Sequence, residues 1–192
     1  MFRNLRRALQ VSAILVLLGV AALCYLNPHW FDPLRDIVWI WKNRSVPTLA
    51  PTRWTGQITE VLDGRTFYFR ATNGSIYRVK LFGLQMPVKS TVSQTANGPR
   101  ERGKEALRAL GLSNRVNADF MASPINRHVE AVVYLGETNV NRVLVATGQA
   151  KVDRSKILAL SGRETYRWLA TERKARRKRV GLWMESGANT GR

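Results

Sequence analysis

From Ala8 to Phe31 the chain carries no Lys, Arg, Asp or Glu. Within that stretch, Ala8–Leu26 is mostly Leu, Val, Ile and Ala. As a helix it is about 28 Å long, close to the hydrocarbon thickness of a bilayer. Residues 8–26 are therefore expected to form a transmembrane anchor behind a basic tail, residues 1–7. Arg3, Arg6 and Arg7 precede the span, and Arg35 is the only Lys or Arg among residues 27–41. The positive-inside rule then puts the N-terminus on the cytoplasmic or matrix side and the rest of the chain across the membrane. A cleaved signal peptide is the alternative, with Val20-x-Ala22 as its cleavage site and secretion as the result. A lipoprotein signal fits less well, because Leu23 before Cys24 is too large. Apolar character runs on to Leu26, and Tyr25, Trp30, Trp39 and Trp41 suit a headgroup boundary, which favours the anchor. In the juxtamembrane part, residues 27–52, Ile37–Trp41 is too short to span. It reads as a linker strand or as an interfacial segment lying on the bilayer. Asn43–Thr52, with Pro47 and Pro51, reads as a linker.

The remainder is long enough for one domain in a chain of 192 residues. A hydrophobic content of 45% with 9% aromatics is enough for a packed core and excludes a wholly disordered chain. The charge is unusual: 31 Lys and Arg against 13 Asp and Glu leave +18. After residue 50 there are 25 basic and 11 acidic residues, so most of the excess lies on the domain. Such a balance points to polyanions, either nucleic acid or anionic lipid. Cys24 is the only cysteine, so no intrachain disulfide forms. Together with His29 and His128 it makes no Cys/His zinc site.

Period-two alternation predicts strands at Trp54–Leu62, Thr66–Arg70 (Phe67 and Phe69 on one face) and Ile76–Leu84 (Tyr77, Val79 and Leu81). Asp63-Gly64 and Asn73-Gly74 are the turns. Gln85–Gly98 has no period and reads as a long loop. Helical spacing follows at Glu101–Leu110, with Ala106, Leu107 and Leu110 inward and Gly111 as cap. Val116, Ala118 and Phe120, then Val129, Ala131 and Val133, mark two more strands. A second helix is predicted over Asn139–Ala146, ended by Gly148. Ser161-x-x-Glu164 is a capping box for a third, with Tyr166, Leu169 and Ala170 buried and Gly181 as its end. The expected architecture is α+β: a five-stranded oligonucleotide-binding-type barrel with three helices over residues 53–184, preceded by one transmembrane helix and followed by a tail, 185–192.

Over about residues 54–184 the chain resembles the staphylococcal nuclease-like (thermonuclease) family. The resemblance rests on Val61-Leu62-Asp63-Gly64-Arg65-Thr66, Tyr77–Pro87, Gly103-Lys104-Glu105-Ala106, Val140-Asn141-Arg142, Gly148–Val152 and Gly181-Leu182-Trp183. It implies metal-assisted phosphodiester cleavage: carboxylates hold calcium, and guanidinium groups bind the phosphate. The family carries those roles on an Asp-Gly-Asp-Thr turn, a third-strand Arg, an Asp-x-Pro-Glu segment and a later Arg. Here Arg65 replaces the second Asp, Lys80 the first Arg, Gln85 and Val88 the Asp and Glu, and His128 the later Arg, with Arg127 one residue away. Only Asp63, Thr66 and Pro87 match. Arg65 puts a cation where the metal belongs, and Val88 can neither position nor deprotonate water. The expectation is a domain without catalytic activity, metal or cofactor. Asp63 reads as a turn-former and His128 as an ordinary strand residue. Lys80 reads equally as a solvated position or a residual phosphate contact.

Arg173, Lys174, Arg176, Arg177, Lys178 and Arg179 put six cations in seven positions. Complementing a helix dipole needs two or three. The excess predicts a polyanion surface, joined by Arg65, Lys80 and Arg127 and with Arg100–Arg108 as an alternative locus. Trp168, Tyr166 and Trp183 nearby read as core more than as stacking platforms. Three functional readings follow: a catalytically silent membrane-anchored polyanion binder, an active membrane nuclease with a rebuilt site, and a protein-interaction module at the membrane.

Overall fold

The computed structural model describes residues 31–43, 48–86 and 99–184. The chain divides into two compact units, residues 1–42 and 43–192. In the first lies helix α1 (Asp32–Asn43), with Asp32 in its first turn and Lys42 in its last, matching the helix dipole at both ends. The linker strand predicted over Ile37–Trp41 is thus corrected to helix. Those five residues hide the period; Leu34, Ile37, Val38 and Trp41 together show it, at i, i+3, i+4 and i+7.

In the second unit, β1 (Thr52–Asp63), β2 (Thr66–Ala71), β3 (Ile76–Leu81), β5 (Arg115–Phe120) and β6 (His128–Leu135) form the barrel. The order is β3-β2-β1-β5-β6, and a parallel β3–β6 pairing closes it. β1 serves two partners: Thr52–Gln57 pair with β5 and Gly56–Asp63 with β2. Two irregularities in its register with β2, at Ile58/Glu60 and Val61/Asp63, bend it between them. Gly56 lies at the overlap, where a Cβ would run into the Arg70 carbonyl and approach Phe69 Cζ to 2.6 Å. The predicted alternation points inward: Phe67, Phe69, Val79, Leu81, Val116, Ala118, Phe120, Val129, Ala131 and Val133 are all buried. Trp54, Tyr77, Phe69 and Phe120 form an aromatic cluster with ring centroids 5.3–6.0 Å apart. Beside it Arg53 donates twice to the buried Asp119, at 2.6 and 2.8 Å, and lies 5.5 Å over the Tyr134 ring. Bonding to Asp119 and its charge hold the Arg53 guanidinium more firmly protonated than usual. Burial, with the Asp119 charge, pushes the Tyr134 phenol up.

The third strand ends earlier than predicted. Gly83, at φ 69°, turns the chain after Leu81, and Leu84–Gln85 form a separate strand, β4, paired with β8 (Lys151–Val152). Gln85 therefore lies in a strand, not in a loop. A second short strand, β7 (Thr138–Asn139), extends β6. Two residues carry no period, so sequence reading passes over such strands. Helix α2 (Pro99–Gly111) packs on β1 with Leu107 fully buried. Helix α3 (Val140–Ala146) is capped by Asn139, which accepts from the Arg142 amide at 2.9 Å. A one-turn helix absent from the sequence reading, α4 (Arg154–Ile157), starts at Asp153. Helix α5 (Gly162–Arg177) starts at Ser161, as its capping box requires.

Two expectations for α5 change. Its buried face is Thr165, Trp168, Leu169, Glu172 and Ala175, so Tyr166 and Ala170 sit at the edge. It ends at Arg177 and not at Gly181. Arg179 takes the left-handed conformation (φ 51°), its amide bonding the Arg176 carbonyl at 3.0 Å and that of Val180 the Ala175 carbonyl at 3.3 Å, a Schellman close with Arg where Gly is usual. Gly181 instead faces Gly148. A Cβ on Gly181 would strike the Gly148 carbonyl and one on Gly148 the Val180 carbonyl, and the Leu182 amide donates to the Gly148 carbonyl at 2.9 Å. Residues 8–26, read as a transmembrane helix, lie outside the described residues, as do residues 87–98. Among those described, no helix is long and apolar enough to cross a membrane.

Candidate functional site

The Asp63–Thr66 turn, β4 and the outer faces of β3 and β6 meet at one end of the barrel. The Asp63 carboxylate accepts from the Arg65 amide at 2.8 Å, an Asx-type turn. Gly64 is pressed onto α2, where a Cβ would lie 3.1 Å from the Gly103 carbonyl carbon and strike Met86 Cε. Arg65 is held on both sides by backbone. Its carbonyl accepts from the Leu81 amide at 2.7 Å, and its Nη1 donates to the Leu84 carbonyl at 3.0 Å, next to Gln85. Gln85 itself is exposed, opposite Lys151. Lys80 stands opposite Thr66 on β2 and Glu130 on β6.

The structure thus gathers Arg65, Lys80 and Gln85 and leaves His128 apart. His128 is the exposed first residue of β6 and pairs with Arg78, one outward position before Glu130. Arg127 lies in the two-residue turn before it. Asn126 and Arg127 have φ of 49° and 61°, and Ile125 and His128 exchange backbone hydrogen bonds at 3.0 and 2.8 Å, the primed-turn geometry. Val88 is outside the described residues. Sequence reading missed Glu130 and Lys156. Glu130 accepts from Lys156 Nζ at 2.5 and 2.6 Å and lies 3.8 Å from Lys80 Nζ. The alternation His128-Val129-Glu130 already placed Glu130 on the outer face; its partner on a one-turn helix, 26 residues on, had no signal.

The calcium that the family resemblance implies does not fit these residues. Asp63 is engaged with a backbone amide, Glu130 with two lysines, and the Arg65 guanidinium reaches across to β4. Among the described residues no three His, Cys, Asp or Glu side chains gather where they could hold a metal ion. Residues 87–98 contain none of these residue types.

The basic run divides. Arg176 is tied to the fold although its side chain stays 49% exposed: it donates to Glu172 Oε2 at 3.2 Å and its guanidinium sits 4.2 Å over the Trp183 ring. Glu172 is 2% exposed, accepts from the Val152 amide at 2.9 Å, and also has Arg154 at 3.7 Å. Trp168 is fully buried and belongs to the core. Lys174 and Lys178 are exposed and, with Arg142, line a groove of about 540 Å³ between α3 and α5, with Glu137, Thr138 and Thr171 on its rim.

The motif Val140-Asn141-Arg142 places one more polar residue, with a structural role. Asn141 is fully buried; its Nδ2 donates to the carbonyls of Phe82 and Ala131 at 3.0 and 3.2 Å, and its Oδ1 accepts from the Val133 amide at 3.0 Å. It ties α3 to β6 and to the turn before β4. No curated protein matches the chain. Residues 78–185, more than half of the chain, match the family described as staphylococcal nuclease homologue, and the chain belongs to that family.

Proposed function

We propose that this chain is a nuclease-family barrel that has lost metal-dependent cleavage and binds a polyanion, nucleic acid in the first place, while anchored in a membrane by residues 8–26. The observation that carries the reading is Arg65. Its guanidinium donates to the Leu84 carbonyl, between the Asp63 turn and the strand that bears Gln85. A cation fixed there repels calcium, and a lone carboxylate supplies at most two of the roughly six to eight oxygens calcium prefers. Among the described residues no side chain orients His128 as a base, and Gln85 and Val88 accept no proton from water.

Binding is assigned to exposed and half-exposed cations at the protein surface. Lys174 and Lys178, two of the six helix-end cations predicted from sequence, form one locus with the half-buried Arg142, and the exposed Arg177 and Arg179 lie on the same helix end. Arg78 and Lys80 on β3, with Arg127 in the turn before β6, form the second. The membrane part rests on sequence: an apolar run long enough to span, with three Arg before it.

The test is oligonucleotide binding by the full chain across a salt series, with calcium and with chelator. The expected result is binding that weakens steeply with salt, is indifferent to calcium, and yields no cleavage products. Calcium-dependent cleavage abolished by Asp63→Ala would overturn the silent-domain reading. For topology, protease added to sealed inverted vesicles is expected to spare residues 53–192; digestion there reverses the orientation.

A further inference from the structure

Helix α1 has an uncovered apolar face. Leu34, Ile37, Val38 and Trp41, one stripe at helical spacing, are 56%, 51%, 59% and 82% exposed. The opposite side is covered: Ile40 is buried and Asp36 half-buried. Charge is sorted around the same axis. Arg35 and Lys42, seven residues apart, share one flank of the stripe, whereas Asp32 and Asp36, four apart, lie on the face away from it. We infer that α1 is an interfacial helix that lies on the membrane with Leu34, Ile37, Val38 and Trp41 in the acyl boundary and Arg35 and Lys42 at anionic headgroups.

Three observations choose a lipid surface over other occupants. Cations edging the stripe with acids held opposite match a negatively charged surface below the helix. The helix starts at Asp32, six residues after Leu26, so it lies within about 22 Å of chain from the apolar run. That tether argument rests on the proposed anchor. Finally, the other segments outside the described residues are poor covers: residues 185–192 contain no large apolar side chain, and residues 87–98 have only Val88 and Val92. The inference explains why an exposed Trp41 ends a helix otherwise formed with matched termini.

The test is a spin-label scan of the full chain with Cys24→Ser, reconstituted into vesicles of phosphatidylcholine and phosphatidylglycerol. Single cysteines are placed at 34, 35, 37, 38, 41 and 42. Collision with oxygen, which concentrates in lipid, is compared with collision with a water-soluble nickel chelate. The oxygen-to-nickel ratio at 34, 37, 38 and 41 is expected to exceed that at 35 and 42 by about threefold or more. Arg35→Gln with Lys42→Gln is expected to lower the ratio at 37 and 41 in these vesicles and to leave it unchanged in pure phosphatidylcholine. High nickel access throughout overturns the inference. So does exclusion of both reagents along the stripe, which means that a second copy or the N-terminal segment covers it. An alkaline carbonate wash separates the two readings. A chain that stays in the vesicles with its labels in water refutes the interfacial helix alone. Labels in lipid on a chain that carbonate removes support the helix and refute the anchor.

Discussion

Glu172 and Glu130 each hold two cationic side chains, and the two clusters play opposite parts. The Glu172 side chain is 3% exposed and its partners are arginines, Arg154 and Arg176. It also takes the Val152 amide, so one carboxylate fastens α5 to β8 and positions Arg176 on Trp183. The Glu130 side chain is 30% exposed, its partners are lysines, and it accepts from no backbone amide among the described residues. Buried and bonded to backbone, a charge is a structural joint; near solvent, the same pairing is weak and exchangeable. Asn141 belongs with Glu172. The polar residues that hold helices to the barrel are bonded to backbone, while among the described residues at the barrel end that bears Arg65 no carboxylate set gathers for a metal.

The widest separation comes from truncating both glutamates. Glu172→Ala is expected to lower the unfolding free energy by about 3 kcal/mol, because it strands a buried amide and removes the joint between α5 and β8. Asn141→Ala is expected to cost about 3 kcal/mol through three lost partners in the core. Glu130→Ala is expected to stay within about 1 kcal/mol. Denaturant titration of the three variants checks this; equal losses at Glu172 and Glu130 would erase the distinction.

A second experiment sharpens the division of the basic run. Arg176→Gln is expected to cost about 1 kcal/mol of stability through its lost bond to Glu172 and its lost stacking on Trp183. Lys174→Gln and Lys178→Gln are expected to leave stability unchanged and to flatten the salt dependence of oligonucleotide binding, by a slope of about 0.7–0.9 for each phosphate contact removed. An unchanged slope moves binding to Arg78, Lys80 and Arg127.

The smallest effects lie in backbone and proton. Arg179→Gly and Arg127→Gly are each expected to stabilise by about 0.5–1 kcal/mol, since glycine adopts the left-handed conformation without a Cβ clash. Tyr134 has a folded pKa raised above its unfolded value near 10. The stability contributed by its neutral form is therefore full below pH 10 and is lost as pH rises through the folded pKa. Phenolate absorbance is expected to develop late for one tyrosine, and Tyr134→Phe to remove that late step.

Much of the barrel was legible because a half-buried strand writes its period into the residues. Phe67 and Phe69, or Val129, Ala131 and Val133, predict inward faces that the structure keeps, and Asn73-Gly74 predicts its hairpin. The misses share a cause. β4, β7, β8 and α4 are too short to show a period, and α1 was read through a five-residue window that hides a seven-residue one. At the candidate site, Arg65, Lys80 and Gln85 were found by resemblance to a motif. Glu130 was not, because the family pattern assigns nothing there and its partner Lys156 is remote in sequence.

The sequence by itself determined the five barrel strands, the helix cap at Ser161, the family membership and the excess of positive charge, since each is written locally in residue type and spacing. Only tertiary structure decided what the charges do. Six cations in seven positions run through the last turn of α5 and past its end, and no periodicity distinguishes one from another. Packing of Trp183 and β8 against a single face gives Arg176 its partners, Glu172 and the Trp183 ring, and leaves Lys174 and Lys178 to the groove. In the same way, Lys80 meets Glu130 only because β3 and β6 pair in parallel when the barrel closes. That register is set by the bend of β1 and the packing of aromatic side chains inside, and no local pattern encodes it.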